Sequence, residues 1–457
     1  MNTIFVTIFQ GIEARTVLRS DIYTRLLAKP NTRLVFFVKS SEQLSYYSKE
    51  FSHPRVMYEV VSDLKRVTFW ESFFSNLKFF LIKTNTLDLR RQMSLKETNN
   101  YVRYFFGYFV NLVLANSFVR KVSRFLDYYL VEDGIFSNYF DKYKPSTVFL
   151  AHLFDDLEIS LLREAKHRGV KSIGLVNSWD KLTARNAIRI LPDKLLVPNQ
   201  VTKKEALEYT DMSDRNIIAT GMPNYDWHVN YKPLSRSDFF SKKGLDFSKK
   251  LIVYAPMGKT FSDSDWGVVD FLSLSIKSGS INNAQLLVRF PPNDFIDDDE
   301  FKKRPELVHD IPGIRFSKQR GVNWDMSFED IKGLTDTLAN TDLFICYASS
   351  MSIDAAIFDK PVINIDFEFT QGSNLSKTPT YFYKMTHYQK AVKTGGINLP
   401  KSKEDLISAI NKYLENPAID KAGRARLVNE QCWRLDGEAG VRIANHILNV
   451  GQDNASL

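Results

Sequence analysis

The sequence predicts an α/β protein built from two Rossmann-like, doubly wound domains facing a cleft, with a helical insertion in the first. Three observations predict it. The chain has 457 residues, too many for one hydrophobic core and suited to two domains of roughly 200 residues each. Short apolar runs alternate with helical lengths from end to end, the pattern of βαβ units and parallel sheets. The composition, 44% hydrophobic and 13% aromatic, excludes a mainly disordered chain.

In the first domain, read as residues 1–230, Thr3–Phe9 is the opening strand and Gly11 turns the chain towards a helix over Thr16–Leu27. Arg33–Val38 is the second strand. Ser146–Ala151, Lys171–Val176, Lys194–Val197 and Ile217–Thr220 supply the others, with a helix over Asp156–Arg168. Between about 65 and 143 the pattern changes to long helices rich in aromatics and cations, read as an insertion. A polar stretch from Asn224 to Lys250, with Pro233 and Gly244, marks the domain boundary. The second domain, 231–457, has strands at Leu251–Ala255, Gln285–Phe290, Leu343–Tyr347 and Pro361–Ile365. It has a helix at Ser352–Phe358, and Lys403–Leu414 and Gly423–Ile447 read as closing helices. Sheets of this kind bind ligands outside the carboxyl ends of their strands.

The formal net charge is +8, from 61 Lys and Arg against 53 Asp and Glu. Lys65–Arg124 holds 11 of the cations and 3 of the acids, so this segment alone equals the whole excess. The same segment clusters Phe69, Trp70, Phe73, Phe74, Phe79 and Phe80, then Tyr104, Phe105, Phe106, Tyr108 and Phe109. Cations interleaved with aromatics suit helices lying on an anionic inner leaflet. The alternatives are a hairpin with its aromatics packed inward and its cations in water, or a nucleic-acid surface. No nucleic-acid motif supports the last, and no nucleic-acid partner is expected. The longest uncharged stretch here, Tyr104–Val119, has 16 residues and contains Asn111 and Asn116. It falls short of the roughly 18 a span requires, so no transmembrane helix is expected. The opening MNTIFVTIF lacks a basic start, and no secretory signal is expected.

Two cysteines, Cys346 and Cys432, exclude a disulfide framework and a cysteine-based zinc site. The seven histidines show no pair at metal-ligand spacing. The expected location is the cytoplasm, peripheral to the inner face of the membrane, with no metal and no cofactor.

Neither phosphate-loop pattern is present, nor is a G-x-S-x-G elbow. The strongest local signal is Asp342–Asp366, DLFICYASSMSIDAAIFDKPVINID: strand, small polar turn, helix, Lys360-Pro361, strand. Ser349 and Ser350 stand where the strand feeds the helix, and can cap it and hold a diphosphate at its positive end. Asp354, one turn on, can accept from ribose hydroxyls. An ordinary N-cap with a surface Asp is the alternative. Arg289, ending a strand, is a candidate cation for a diphosphate leaving group. Gly258-Lys259-Thr260 follows the first strand of the second domain. In the first domain, Asp155 and Asp156 follow His152 after STVFLA, and Trp179 and Asp180 follow the next strand. A carboxylate there can deprotonate an acceptor hydroxyl, or merely cap the next helix. Trp179 can stack an acceptor sugar or lie in the core. Glu13 is a further acceptor-side candidate. The acidic run Asp297–Glu300 reads as a solvated loop.

The Ser349-Ser350 turn with Asp354 and Lys360-Pro361 resembles the donor-nucleotide motif of GT-B glycosyltransferases. More narrowly, it resembles the CDP-glycerol glycerophosphotransferase-like group of surface-polymer enzymes. Asp436-Gly437-Glu438-Ala439-Gly440-Val441-Arg442-Ile443 is similar to that group's closing DG-x-A-x-x-R-I. The resemblance covers about residues 145–447, with its specific motifs in the C-terminal half. It implies a GT-B fold, a donor nucleotide in the C-terminal domain, and a Gly258–Thr260 loop whose Lys259 neutralises donor phosphates. The group carries a His-Gly after an N-domain strand and a His-Pro after a C-domain strand, both catalytic. This chain has Ser178-Trp179-Asp180 and Arg289-Phe290-Pro291-Pro292 in those places, which favours a sugar donor over glycerophosphate.

The expected activity is metal-independent transfer of a sugar from a nucleotide sugar to a lipid-linked surface glycan, with Asp155, Asp156 and Asp180 as candidate bases. A CDP-polyol phosphotransferase, a nucleotide-sugar 2-epimerase and a non-catalytic binding module remain alternatives.

Overall fold

The computed structural model describes residues 1–61, 68–132, 134–296, 298–317 and 323–450. The chain divides into two compact units, Met1–Asp226 together with the chain from Cys432, and Trp227–Gln431.

The first unit is built on a seven-stranded, all-parallel sheet. Its strands are β1 (Asn2–Thr7), β2 (Thr32–Val38), β3 (Val56–Val60), β4 (Thr147–Leu150), β5 (Lys171–Leu175), β6 (Lys194–Val197) and β7 (Ile217–Ala219), in the order β3-β2-β1-β4-β5-β6-β7. Central strands are buried on both faces, so they consist of near-continuous apolar runs. Edge strand β3 has only Val56 fully buried, so VMYEV carries no such run and escapes the sequence reading. The single helix expected over Thr16–Leu27 is two, Gly11–Val17 and Asp21–Ala28, because Ser20 accepts from the Ile22 amide as a new N-cap.

Between β3 and β4 lie the helices Phe69–Leu77, Asn85–Thr98, Tyr101–Leu114, Ser117–Leu130 and Ser137–Tyr143. None exceeds 14 residues, because Thr84, Asn100 and Asn116 each cap a new start. Lys65 and Arg66, where the insertion was expected to begin, lie outside the described residues. Among the described residues no single helix is long and apolar enough to cross a membrane; Tyr101–Leu114 and Ser117–Leu130 meet at 94°.

These helices turn charged faces inward. Asp127 accepts from Arg163 at 2.7 Å and from Arg189 at 2.7 Å, and Glu71 accepts from Arg189 at 2.8 and 2.9 Å. Arg120 and Arg124 share Asp211 at 2.7 and 2.8 Å. The outward faces carry Phe105, Phe106, Phe109, Phe118 and Phe125, each 61–76% exposed. The inward-aromatic hairpin is thereby corrected. The cation surface is corrected in part, since Arg120 and Arg124 are spent on Asp211.

The second unit contains a five-stranded parallel sheet, with β8 (Lys250–Ala255), β9 (Ala284–Arg289) and β10 (Val308–Asp310). A small antiparallel pair follows, β11 (Ile314–Arg315) and β12 (Trp324–Asp325). Then come β13 (Leu343–Cys346) and β14 (Val362–Asn364), giving the order β10-β9-β8-β13-β14.

The last helix, Ala439–Asn449, packs on the Asp21–Ala28 helix of the first unit, so the linear division at 231–457 misplaces it. The closing motif explains why. Asp226 accepts from the Ala439 and Gly440 amides at 3.2 and 2.8 Å, and Arg442 donates to the Thr220 carbonyl at 2.7 Å. A Cβ on Gly221, at φ +87°, would stand 2.9 Å from that of Ala439. The motif is a clasp within the first unit.

Candidate functional site

Each sheet reverses its strand order once, between β1 and β4 and between β8 and β13. Ligands of doubly wound sheets bind at such switch points. Most of the residues singled out in the sequence follow one of these four strands.

In the second unit, β8 ends in a loop pinned by Asp265. This buried carboxylate accepts from the Tyr254 hydroxyl at 2.8 Å and from the Met257 and Gly258 amides at 3.2 and 2.8 Å. Burial raises it to about 6. Asp294 accepts from the Lys259 amide at 2.6 Å, and a Cβ on Gly258 would stand 2.6 Å from the same oxygen, so only glycine fits this turn. The side chains of Lys259 and Thr260 are exposed, and Lys259 has no carboxylate partner among the described residues.

After β13, the Ser349 hydroxyl accepts from the Met351 amide at 3.2 Å, and the Ser349 amide donates to the Tyr388 hydroxyl at 3.1 Å. Ser350, the N-cap residue of Met351–Ile357, makes no side-chain cap bond and is exposed. Asp354 is buried and accepts from His228 at 2.7 Å, which corrects the alternative of a surface Asp and leaves the expected ribose contact without support. Arg289 is 6% exposed, bonded to Asp310 at 2.7 Å and to the Asp330 carbonyl at 3.1 Å. It braces β9 against β10, which leaves the expected diphosphate contact without support.

In the first unit, Glu13 is fully buried, and one of its carboxylate oxygens takes the Phe9 and Gln10 amides. This closes the turn after β1 and corrects its reading as an acceptor-facing acid. Its other oxygen is buried without a partner among the described residues. Burial, with Glu158 next, holds the Glu13 carboxyl well above the usual range. Glu158 is also fully buried and accepts from the Thr7 hydroxyl and from the His152 and Leu153 amides. Burial lifts it to about 7. Lys181 bonds His152 Nε2 at 2.8 Å, and burial together with that ammonium pushes the imidazole well below its usual value. A neutral ring accepting from an ammonium fits both facts.

Of the candidate bases, Asp155 caps its helix through the Leu157 amide at 2.9 Å and pairs with Lys39 at 2.8 Å. Asp156 pairs with Lys78 at 2.9 Å. Asp180, on the turn after β5, is half-buried and accepts from the Ser178 hydroxyl. Its carboxylate acts on Lys181 and Arg90 as the opposite charge. Trp179 is half-buried beside it. Asp180 thus lies within a field of cations.

Glu158, Lys181, His228 and Tyr388 were missed. For Glu158 a signal existed: a carboxylate on the apolar face of DLEISLLREA, between Leu157 and Ile159. Among the described residues no cluster of three or more His, Cys, Asp or Glu is arranged to hold a metal ion.

Residues 171–449 match the family model described as CDP-glycerol:poly(glycerophosphate) glycerophosphotransferase. No curated protein matches the chain in sequence. Among solved structures, S. aureus MnaA with UDP is 12% identical, with a TM-score of 0.53, covering 99% of this chain and 97% of that one. UDP-GlcNAc 2-epimerase from Neisseria meningitidis bound to UDP-GlcNAc is 10% identical, with a TM-score of 0.55, covering 98% and 100%. The wall teichoic acid polymerase TagF soaked with CDPG is 13% identical, with a TM-score of 0.52, covering 100% and 90%. At these identities the likeness is one of fold: two Rossmann-like α/β units of the GT-B type.

Proposed function

The chain belongs to the CDP-glycerol:poly(glycerophosphate) glycerophosphotransferase family, and from that premise we propose that it moves a sugar from a nucleotide-sugar donor onto a lipid-linked surface glycan. The observation that carries this is Asp180. It is half-buried on the turn after β5, and it stands where the family pattern has a catalytic histidine. A carboxylate there takes the proton of an attacking hydroxyl. The oxygen then bonds the anomeric carbon as the bond to the nucleoside diphosphate breaks. Lys259 and the Ser349–Ser350 turn take up the charge on the departing phosphates. UDP in the MnaA structure and CDPG in the TagF structure support a nucleotide-linked donor. The outward aromatics support work at the inner membrane surface.

Family membership favours a second reading, transfer of a polyol phosphate from a CDP-polyol. A panel of UDP-, GDP-, CMP- and CDP-linked donors separates the two. Turnover of a nucleotide sugar supports the first, and turnover of CDP-polyols alone supports the second. Asp180→Asn should lower kcat about 100-fold or more with nucleotide affinity unchanged; an unaltered kcat removes Asp180 as the base.

A further inference from the structure

Between the helices Asn85–Thr98 and Tyr101–Leu114 lies a pocket of about 500 Å3, within the roughly 300–1,000 Å3 typical of small-molecule sites. Its lining joins Arg90, Arg91 and Arg103 to Leu95, Tyr104 and Phe106. Arg91 is held by Asp88 at 2.8 Å and by Asn111 at 3.1 Å. The guanidiniums of Arg90 and Arg103 make no hydrogen bond or ion pair among the described residues. Arg90 meets Arg185 as a like charge and Asp180 as an opposite one, so the pocket and the candidate base belong to one electrostatic neighbourhood. At the rim, two of the lining rings, Phe79 and Phe106, are 43% and 67% exposed.

Arg90 and Arg103 are exposed and direct two forked sets of donors at one pocket, a geometry that matches phosphate. The exposed rings of Phe79 and Phe106 beside them suit hydrocarbon. A molecule that is anionic at one end and hydrocarbon at the other satisfies both. On the premise of a membrane-borne acceptor, we propose that this pocket binds the phosphate of a membrane lipid. The headgroup sits on Arg90 and Arg103, and the chains run out over Phe79 and Phe106 at the rim. The pocket thereby anchors the chain where its acceptor lies and selects phospholipid-like acceptors.

The test compares three variants on vesicles of phosphatidylcholine with and without phosphatidylglycerol. Arg90→Gln/Arg103→Gln should weaken binding to the anionic vesicles by more than about tenfold. Lys83→Gln/Lys121→Gln removes the same charge from the same helical segment of the chain, outside the pocket, and should cost clearly less. Diffuse attraction weighs each surface cation about equally, so equal losses for the two pairs overturn the pocket. Ser94→Trp keeps both arginines and fills the space. It should abolish binding of water-soluble dihexanoyl phosphatidylglycerol at unchanged circular dichroism; retained binding overturns the site. Inorganic phosphate competing as tightly as the soluble lipid overturns the lipid assignment, and tighter binding to an oligonucleotide than to anionic vesicles does the same. Donor turnover by the unaltered chain on a water-soluble acceptor, without vesicles, reports on the transferase reading alone, so the two can fail separately.

Discussion

Replacing Asp127 by Asn removes one negative charge from a buried four-membered network at nearly constant shape. The side chains of Asp127, Glu71, Arg163 and Arg189 are each 1–4% exposed, and their formal charges cancel. Asp127 takes Arg163 Nη2 at 2.7 Å and Arg189 Nε and Nη2 at 2.7 and 3.2 Å. The substitution leaves a net positive charge out of reach of water and weakens three charge-assisted bonds. Breaking a buried pair from one side costs about 3–5 kcal/mol. We expect about 3 kcal/mol, since the amide still accepts one bond. The cost should fall on the first unit, because the network ties Phe69–Leu77 and Ser117–Leu130 to the helix Asp156–His167 and to Arg189. The assay is urea unfolding, read by hydrogen exchange on peptides from those helices. Asp127→Asn/Arg163→Met restores neutrality and should recover at least about 1 kcal/mol relative to additivity. A single-variant cost below about 1 kcal/mol, or strict additivity, would refute the claim that charge balance holds the charged faces inward.

Glu158→Gln removes a carboxyl whose folded value, about 7, lies above the ordinary 4.5. Its destabilising effect is absent below about pH 4.5 and grows until about pH 7, so the variant should flatten the fall in stability over that window, by about 3 kcal/mol; thermal melts from pH 4.5 to 8 measure it. Asp354→Ala strands buried His228 and should lower the stability of the second unit by about 1–3 kcal/mol, measured by calorimetry. Ser350→Ala, by contrast, should weaken donor-nucleotide binding in titration calorimetry with the melting temperature unchanged. Phe105→Ser/Phe109→Ser should reduce partition onto anionic vesicles about 100-fold without lowering the melting temperature, because both rings are already exposed; unchanged flotation would exclude this face from the membrane.

Apolar periodicity alone determined the two parallel sheets and nearly every buried strand, because such strands must be apolar on both faces whatever surrounds them. The same logic put Gly258, Ser349 and Asp180 at strand ends, where turn chemistry is local. Tertiary structure decided the rest. Periodicity shows that the helices between β3 and β4 have two faces, but not which one turns inward. That choice was made by Arg163, Arg189 and Asp211, which lie far along the chain and supply counter-charges to Glu71, Asp127, Arg120 and Arg124. The roles of Glu13, Arg289 and Asp354 were likewise set by partners remote in sequence or by burial, since a carboxylate or guanidinium in an unfolded string has no partner and no depth. The return of the last helix to the first unit depends on Asp226 and Thr220 meeting Gly440 and Arg442, a contact that only the folded chain brings together.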